Sequence, residues 1–99
     1  MKSKERAELR GEAHHLQVLV HVGHQGVTDT LARAADEVLS TRELVKVDVS
    51  RNLTAPMSEV ARALGDATGA EVIQVIGRKV VLYRHNPELK WKNGFPPWR

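Results

Sequence analysis

The chain has 99 residues and a formal net charge of +3, with 41% hydrophobic and 27% charged residues. This length and composition exclude a disordered or fibrous chain and leave room for a single folded domain. Because cysteine is absent, disulfides, thiolate metal ligands and cysteine nucleophiles are excluded as well.

The charge is distributed unevenly along the chain. The net charge is +2 for residues 1–10, −4 for residues 11–75 and +5 for residues 76–99. If folding brings the two basic ends together, they form a positive face suited to a polyanion; otherwise they are two solvated tails. Residues 1–10 carry six charges, and no segment approaches the roughly 20 apolar residues of a membrane helix. We therefore expect no secretory signal, no membrane contact and a cytoplasmic location.

The first half of the chain predicts a helix, a strand and a second helix. Residues 4–15 contain helix formers and no proline, and residues 17–22 are rich in β-branched side chains, which favour a strand. Thr28 and Asp29 then provide an N-cap and a first-turn carboxylate for a helix whose apolar stripe continues to about Ser40.

The second half predicts a strand, a helix and a hairpin. Residues 43–49 alternate in a way that places three valines on one face of a strand. Pro56 suits the start of a helix, and Gly69 suits its left-handed end. Residues 71–76 and 79–84 are separated by only two residues, which favours an antiparallel hairpin.

Together these elements predict a single α/β domain in the order α-β-α-β-α-β-β, with a four-stranded mixed sheet. Helical crossovers between the first strands imply a parallel core, to which the closing hairpin adds an antiparallel strand. We assign residues 1–84 to this domain and residues 85–99 to a basic, aromatic C-terminal tail.

The predicted tail contains Trp91, Phe95 and Trp98, which are three of the four aromatic residues of the chain. Rings among basic residues can stack on the bases of single-stranded RNA. Alternatively, they cover an exposed face of the domain's own sheet or contact another chain. Contact with another chain suits a protein-interaction adaptor.

The segment Gly23-His24-Gln25-Gly26 lies after a predicted strand and before a predicted helix. Its two glycines allow positive φ and close backbone approach, and the first N–H groups of the following helix lack intrahelical partners. Such a segment can hold a phosphate through backbone donors without reading a base, although the same spacing also occurs in plain turns. No Gly-Lys-Ser/Thr follows, and no third glycine completes a dinucleotide motif, so neither an ATPase nor a dehydrogenase is indicated.

Six short segments follow one another in order between Lys4 and Arg84. They are Ala13-His14-His15-Leu16, Val22-Gly23-His24-Gln25-Gly26-Val27-Thr28, Glu43-Leu44-Val45-Lys46-Val47, Thr68-Gly69-Ala70, Val75-Ile76-Gly77-Arg78 and Val81-Leu82-Tyr83-Arg84. Together they resemble the CRM domain of the bacterial YhbY-like proteins. This resemblance implies a fold similar to the C-terminal domain of translation initiation factor three. It also implies that the chain binds RNA, with rRNA of the maturing large ribosomal subunit as the partner.

The chain departs from this pattern inside the loop. Many members of the family carry Lys or Arg between the two glycines, whereas this chain has His24 and Gln25. An imidazole has only partial positive charge near pH 7, so we expect the loop to bind phosphate more weakly and with more pH dependence.

The resemblance and the charge pattern predict RNA-binding residues in the loop, at the start of the next helix, at the end of the first helix, and among the basic residues of the first helix and the strands. These residues are Gly23, His24, Gln25, Gly26, Thr28, His14, His15, Lys46, Arg78, Lys79, Arg84, Lys4 and Arg10. Taken alone, each basic residue also fits an ordinary solvated surface; together they can neutralise phosphates along a groove.

We expect no metal, cofactor, small-molecule substrate or catalytic activity. The five histidines show no ligand spacing such as His-Glu-x-x-His, and no nucleophile or paired-carboxylate pattern stands out. A small metal-dependent enzyme is therefore the weakest alternative.

Overall fold

The structure is a computed structural model, and it describes residues 2–89. Within this range the helices and strands occur in the predicted order. They are α1 (Ser3–Ala13), β1 (Val18–Val22), α2 (Asp29–Arg42), β2 (Leu44–Val49), α3 (Met57–Thr68), β3 (Glu71–Ile76) and β4 (Lys79–Tyr83). None of the helices in the described range combines the length and apolar content needed to cross a membrane.

Two helix ends show the predicted capping. The Oγ1 atom of Thr28 accepts a hydrogen bond from the N–H of Leu31 at 3.2 Å, so Thr28 caps the start of α2. Gly69 follows α3 with a φ of 71°, a left-handed conformation that glycine adopts readily because it has no Cβ. Local sequence signals therefore determine where α2 begins and where α3 ends.

The four strands form one mixed sheet in the order β1-β2-β4-β3. β1 and β2 are parallel, whereas β4 is antiparallel to both of its neighbours, β2 and β3. The sheet is mixed as predicted, but the predicted parallel core is reduced to one pair of strands because β4 lies between β2 and β3. The residues of β4 suit this central position: Val80, Val81 and Leu82 are at most 1% exposed, so the strand is apolar on both faces.

The helices α2 and α3 cover one face of the sheet. The core on this side combines alternate residues of the strands with the apolar stripes of the two helices. Its fully buried members include Val45, Val47, Leu82, Leu39 and Leu64. Removing a side chain of this kind from water stabilises the fold by about 1.5–3 kcal/mol, so this face supplies most of the hydrophobic stabilisation.

The helix α1 covers only part of the opposite face. Its residues Leu9 and Ala13 pack against Leu44, Ile73 and Val81, near the end of the sheet where β2 begins. Because α1 ends at Ala13, the rest of this face has no helix over it within residues 2–89. We call this region the open half of the sheet. Its side chains come from His21, Lys46, Asp48, Gln74, Ile76 and Lys79.

The chain continues to contact the domain beyond residue 84. The N–H of Asn86 donates to Oε2 of Glu43 at 2.7 Å, and its side-chain amide donates to the carbonyl of Ser40 at 2.8 Å. Glu43 is fully buried, and its Oε2 atom also lies 3.0 Å from Nδ1 of His85. The predicted boundary at residue 84 therefore falls inside a set of packing contacts. The predictions for Trp91, Phe95 and Trp98 concern residues outside the described range.

Candidate nucleic-acid interface

The loop of residues 23–26 forms a tight turn between β1 and α2. The N–H of Gly26 donates to the carbonyl of Gly23 at 3.0 Å, which closes the turn. Gly26 has a φ of 78°, a conformation that strains any residue with a Cβ. His24 and Gln25 are exposed at the tip. The loop therefore has a defined conformation and is accessible from solvent.

The start of α2 presents backbone donors beside this loop. Thr28 already satisfies the N–H of Leu31, but within residues 2–89 no hydrogen bond uses the N–H groups of Asp29 and Thr30. The loop and the first turns of α2 line a shallow depression of about 330 Å³. Unpaired donors and the positive end of the helix dipole favour an anion here, while the exposed carboxylate of Asp29 opposes one.

The open half of the sheet brings together three of the predicted residues. His14, Lys46 and Lys79 line a depression of about 160 Å³, together with Gln74 and Ile76. His14 is placed there because α1 ends above the middle of the sheet, and Lys46 and Lys79 are placed there by strand alternation. This surface offers cations and hydrogen-bond donors close to the sheet end that carries the loop.

An acidic residue reduces the positive charge of this surface. Asp48 lies between Lys79 and His21: its Oδ1 is 3.1 Å from Nζ of Lys79, and its Oδ2 is 3.7 Å from Nδ1 of His21. The hydrogen bond from Lys79 holds the pKa of the Asp48 carboxyl below its usual value, against the opposing effect of burial. Lys79 is therefore partly neutralised, whereas Lys46 forms no ion pair with any described residue.

Arg78 lies at the loop end of the sheet, but its guanidinium group is used inside the protein. Its Nε donates to the carbonyl of Val49 at 3.4 Å, and its Nη2 donates to the carbonyls of Ser50 and Leu53. The sequence predicted a direct phosphate contact for this side chain. In the structure this side chain instead donates to the carbonyl of the last residue of β2 and to two carbonyls of the turn that follows.

Arg84 is not brought to the loop. It follows β4, at the end of the sheet where β2 begins, about 17 Å along the strands from the end that carries the loop. Its two terminal nitrogens donate to both Asp36 and Ser40 of α2 and to the carbonyl of Thr68. We leave Arg84 out of the proposed interface because these donors are already used.

The three remaining predicted residues lie on or just after α1. Arg10 precedes His14 by one helical turn on the same side of the helix, so it extends the surface that His14 begins. His15 is exposed immediately after it. Lys4 lies ten residues before His14, about 15 Å away along the helix, and faces solvent near the start of β3 rather than the loop.

Within residues 2–89 the basic segments from the two ends of the chain lie on one sheet, but several of their arginines are satisfied within the fold. Besides Arg78 and Arg84, Arg6 donates to the carbonyl of Val72 at 2.7 Å and pairs with Glu71 at 3.3 Å. These arginines attach turns and helices to the sheet. The charge available to a polyanion is therefore smaller than the sequence suggested.

Sequence reasoning missed Arg51 as a candidate. This residue is exposed in the turn after β2, and the N–H of the preceding Ser50 donates to the carbonyl of Val22, the last residue of β1. Arg51 therefore lies beside the loop and forms no ion pair within the described residues. Only the pairing of β1 with β2 brings the two segments together, so no local signal could have found it.

The fold and this surface define a small α/β domain with one mixed sheet, an exposed Gly-x-x-Gly turn at a helix start, and a sheet face only half covered by a helix. A family model described as the CRS1 / YhbY (CRM) domain matches residues 1–84. The chain belongs to this family, which confirms the resemblance read from the sequence.

Relatives cover nearly the whole chain. It is 37% identical over 90 residues to the Bacillus subtilis protein named "Probable RNA-binding protein YqeI", a match that covers 91% of this chain and 94% of that protein. It is 32% identical over 90 residues to a Haemophilus influenzae protein named "RNA-binding protein", with 91% of each chain covered. The solution structure of the Staphylococcus aureus protein SAV1595 superposes with a TM-score of 0.78 and 34% identity, covering 91% of this chain and 94% of that one.

Proposed function

We propose that this protein is a non-catalytic RNA-binding factor that acts in the cytoplasm in assembly of the large ribosomal subunit. In this proposal it grips the backbone of structured precursor rRNA through the loop of residues 23–26 and the neighbouring basic residues. The observation that carries the proposal is the exposed Gly-x-x-Gly turn close to the lysines on the open half of the sheet. The relatives of the chain are named as RNA-binding proteins.

The loop supplies the first contact. A phosphate placed in the depression at the start of α2 accepts hydrogen bonds from backbone N–H groups, and the helix dipole favours its charge. The exposed imidazole of His24 adds a hydrogen-bond donor at the tip. Because these groups contact phosphate oxygens only, the loop grips the backbone without reading base identity.

The open half of the sheet supplies the second contact. Lys46 and Lys79 neutralise phosphates there, and His14 and Gln74 add donors around them, while Arg51 adds a cation beside the loop. Within residues 2–89 the only Phe, Tyr or Trp ring belongs to Tyr83, which packs against the α1 core rather than on the open half. The imidazoles of His14 and His21 are the rings of the open half and offer only a small stacking area, so we expect this surface to bind helical RNA better than an unpaired strand.

The proposal involves no metal ion and no catalytic step. No group of His, Asp and Glu side chains within residues 2–89 is arranged to hold a metal ion. The names of the relatives denote RNA-binding proteins and mention no catalysis. The alternative of a protein-interaction adaptor depends on residues 90–99, outside the described range, and stays a prediction.

A direct test compares RNA binding by the native chain and by variants of the two contacts. Fluorescence anisotropy with a labelled RNA hairpin and with an unpaired strand of the same composition measures both affinities. We expect tighter binding to the hairpin, and binding weakened by well over about tenfold for the double variant Lys46→Glu and Lys79→Glu, because two attractive contacts become repulsive. Equal affinity for both RNAs, with no effect of the double variant, would contradict the proposal.

The cellular role is tested separately. Extract from cells that express the tagged protein is sedimented with and without nuclease treatment. We expect the protein to travel with large-subunit precursors and to return to the top of the gradient after nuclease or in the double variant. A protein that binds hairpin RNA in vitro but stays at the top of every gradient retains the RNA-binding proposal and loses the ribosomal one.

A further inference from the structure

The side chain of Arg78 has an unusual environment for a cation at the edge of a proposed RNA surface. Its guanidinium group points at three backbone carbonyls, those of Val49, Ser50 and Leu53, and forms no ion pair with a carboxylate of residues 2–89. The backbone carbonyl of Arg78 also accepts a hydrogen bond from the N–H of Val49 at 2.8 Å. Arg78 therefore attaches the β3–β4 turn to the segment that leaves β2.

This segment in turn supports the loop. The N–H of Ser50 donates at 2.8 Å to the carbonyl of Val22, the residue directly before Gly23. Leu53 approaches the other end of the loop: its Cδ1 lies 3.8 Å from the position that a Cβ on Gly26 would occupy. The turn of residues 50–53 is thus bonded to the residue before the loop and lies close to Gly26 at its other end, and we call this turn the floor of the loop.

We infer that Arg78 is a positioning residue for the phosphate-binding loop and not a phosphate ligand. It holds the turn of residues 50–53 in place, and this turn fixes the conformation in which the loop and the start of α2 present their N–H groups. The inference rests on the proposed function, since it concerns how the same loop binds RNA.

The chemistry of the side chain explains why arginine suits this role. A guanidinium group is planar and carries donors at fixed angles, so one residue can reach three carbonyls that diverge from one another. A lysine ammonium group has a single donor atom and cannot span the same set. The three carbonyls use the N–H groups of Nε and Nη2, and a phosphate that took these donors would release the floor of the loop.

The test uses RNA affinity measured at several salt concentrations. A side chain that neutralises one phosphate of helical RNA contributes about 0.9 to the slope of log affinity against log salt, and its removal lowers the slope by that amount. We expect Arg78→Gln and Arg78→Lys to weaken binding by about tenfold each, with slopes like that of the native chain. Lys79→Gln serves as the neighbouring control and should lower the slope.

Arg84→Gln is the matched control for lost charge and lost hydrogen bonds. Arg84 also donates to main-chain carbonyls, but at the opposite end of the sheet. We expect Arg84→Gln to lower thermal stability without weakening RNA binding. If it weakens RNA binding as much as Arg78→Gln does, the effect of Arg78 comes from general destabilisation and the inference is overturned.

Two further measurements keep the inference testable if Arg78→Gln folds poorly. Leu53→Ala alters the loop floor without changing charge, and we expect it to weaken RNA binding with an unchanged salt slope. In the free protein, amide chemical shifts of residues 23–26 should move in Arg78→Lys and Leu53→Ala but not in Lys79→Gln. This second readout needs no RNA, so it separates failure of the inference from failure of the proposed function.

Two further results would overturn the positioning role of Arg78. One is a salt slope in Arg78→Gln that falls as it does in Lys79→Gln while the loop amide shifts stay unchanged, which would make Arg78 a phosphate ligand. The other is native RNA affinity in both Arg78 variants. Loop shifts that move as expected in a protein that binds no RNA would retain the positioning role and refute the function assigned to the loop.

Discussion

The two faces of the sheet are built from the same strands but do different work. The face under α2 and α3 is closed, and its side chains are apolar and buried. The opposite face is closed only where α1 lies on it, and beyond Ala13 it presents lysines, a histidine and an aspartate. Because adjacent residues of a strand point to opposite faces, β2 contributes Val47 to the core and Lys46 to the open surface. If the open half binds RNA as proposed, stability and binding can therefore be changed independently.

The largest expected effect comes from the closed face. Leu39→Ala removes a fully buried side chain and should lower the free energy of unfolding by about 2–5 kcal/mol, because a cavity is left in a packed core. Urea unfolding measures this loss. Leu19→Ala is the control: Leu19 is 45% exposed, and we expect a loss below about 1 kcal/mol. Equal losses at the two leucines would remove the distinction between closed and open surfaces.

A smaller effect is expected at the loop of residues 23–26, which joins β1 to α2. Gly26→Ala places a Cβ on a residue with a φ of 78° and should cost about 1–2 kcal/mol of stability. Gly23→Ala is the matched control, because Gly23 lacks a positive φ and has open space around it. Thermal unfolding of both variants distinguishes a strained turn from a flexible one, and similar melting temperatures would indicate that the turn adapts.

On the open half, a single lysine should change binding and leave stability almost unaltered. Lys46→Gln is expected to weaken binding to an RNA hairpin by about threefold to tenfold and to lower the salt slope by about 0.9, since one phosphate contact is lost. Its unfolding free energy should stay within about 0.5 kcal/mol of the native value. Arg42→Gln, an exposed cation at the end of α2, is the control and should leave the RNA affinity unchanged. A melting temperature that falls with affinity would show that Lys46 supports the fold.

The smallest effect concerns Asp48, which lies among the cations. Asp48→Asn removes a negative charge and releases Lys79, so we expect hairpin RNA to bind about twofold to threefold more tightly.

The same residue makes the stability of the fold depend on pH. Because the pKa of Asp48 is lowered in the folded state, its carboxylate stabilises the fold at pH values above the pKa of the unfolded chain. This contribution disappears as the pH falls through the lowered pKa of the folded state. Unfolding measured below about pH 4 should therefore show native and variant chains converging in stability. Weaker RNA binding by the variant would mean that Asp48 orients Lys79 for RNA.

Local sequence signals were sufficient for the elements and for the loop. Thr28 caps α2 and Gly69 ends α3 through contacts with residues at most a few positions away, which any reading of the sequence can see. The alternation in β2 likewise predicted its three buried valines. The glycine spacing identified the loop, and the ordered segments identified the family.

Long-range contacts decided which cations are available. Arg78 and Lys79 are neighbours in the sequence and looked equivalent, yet Arg78 points at the turn after β2 and Lys79 points at the open half. Arg84 appeared to belong to the same groove and lies at the other end of the sheet. The buried carboxylate of Glu43, which receives the N–H of Asn86, had no signal in its own segment.

The sequence by itself determined the order of the helices and strands, the start of α2, the end of α3, the tight loop and the family, because capping, turn formation and alternation act between residues close in the chain. The tertiary structure alone decided that β4 lies between β2 and β3, that α1 leaves half a face open, and that some basic side chains bind the fold while others face solvent. Those outcomes depend on strand order and register, which bring together residues separated by 25 to 66 positions.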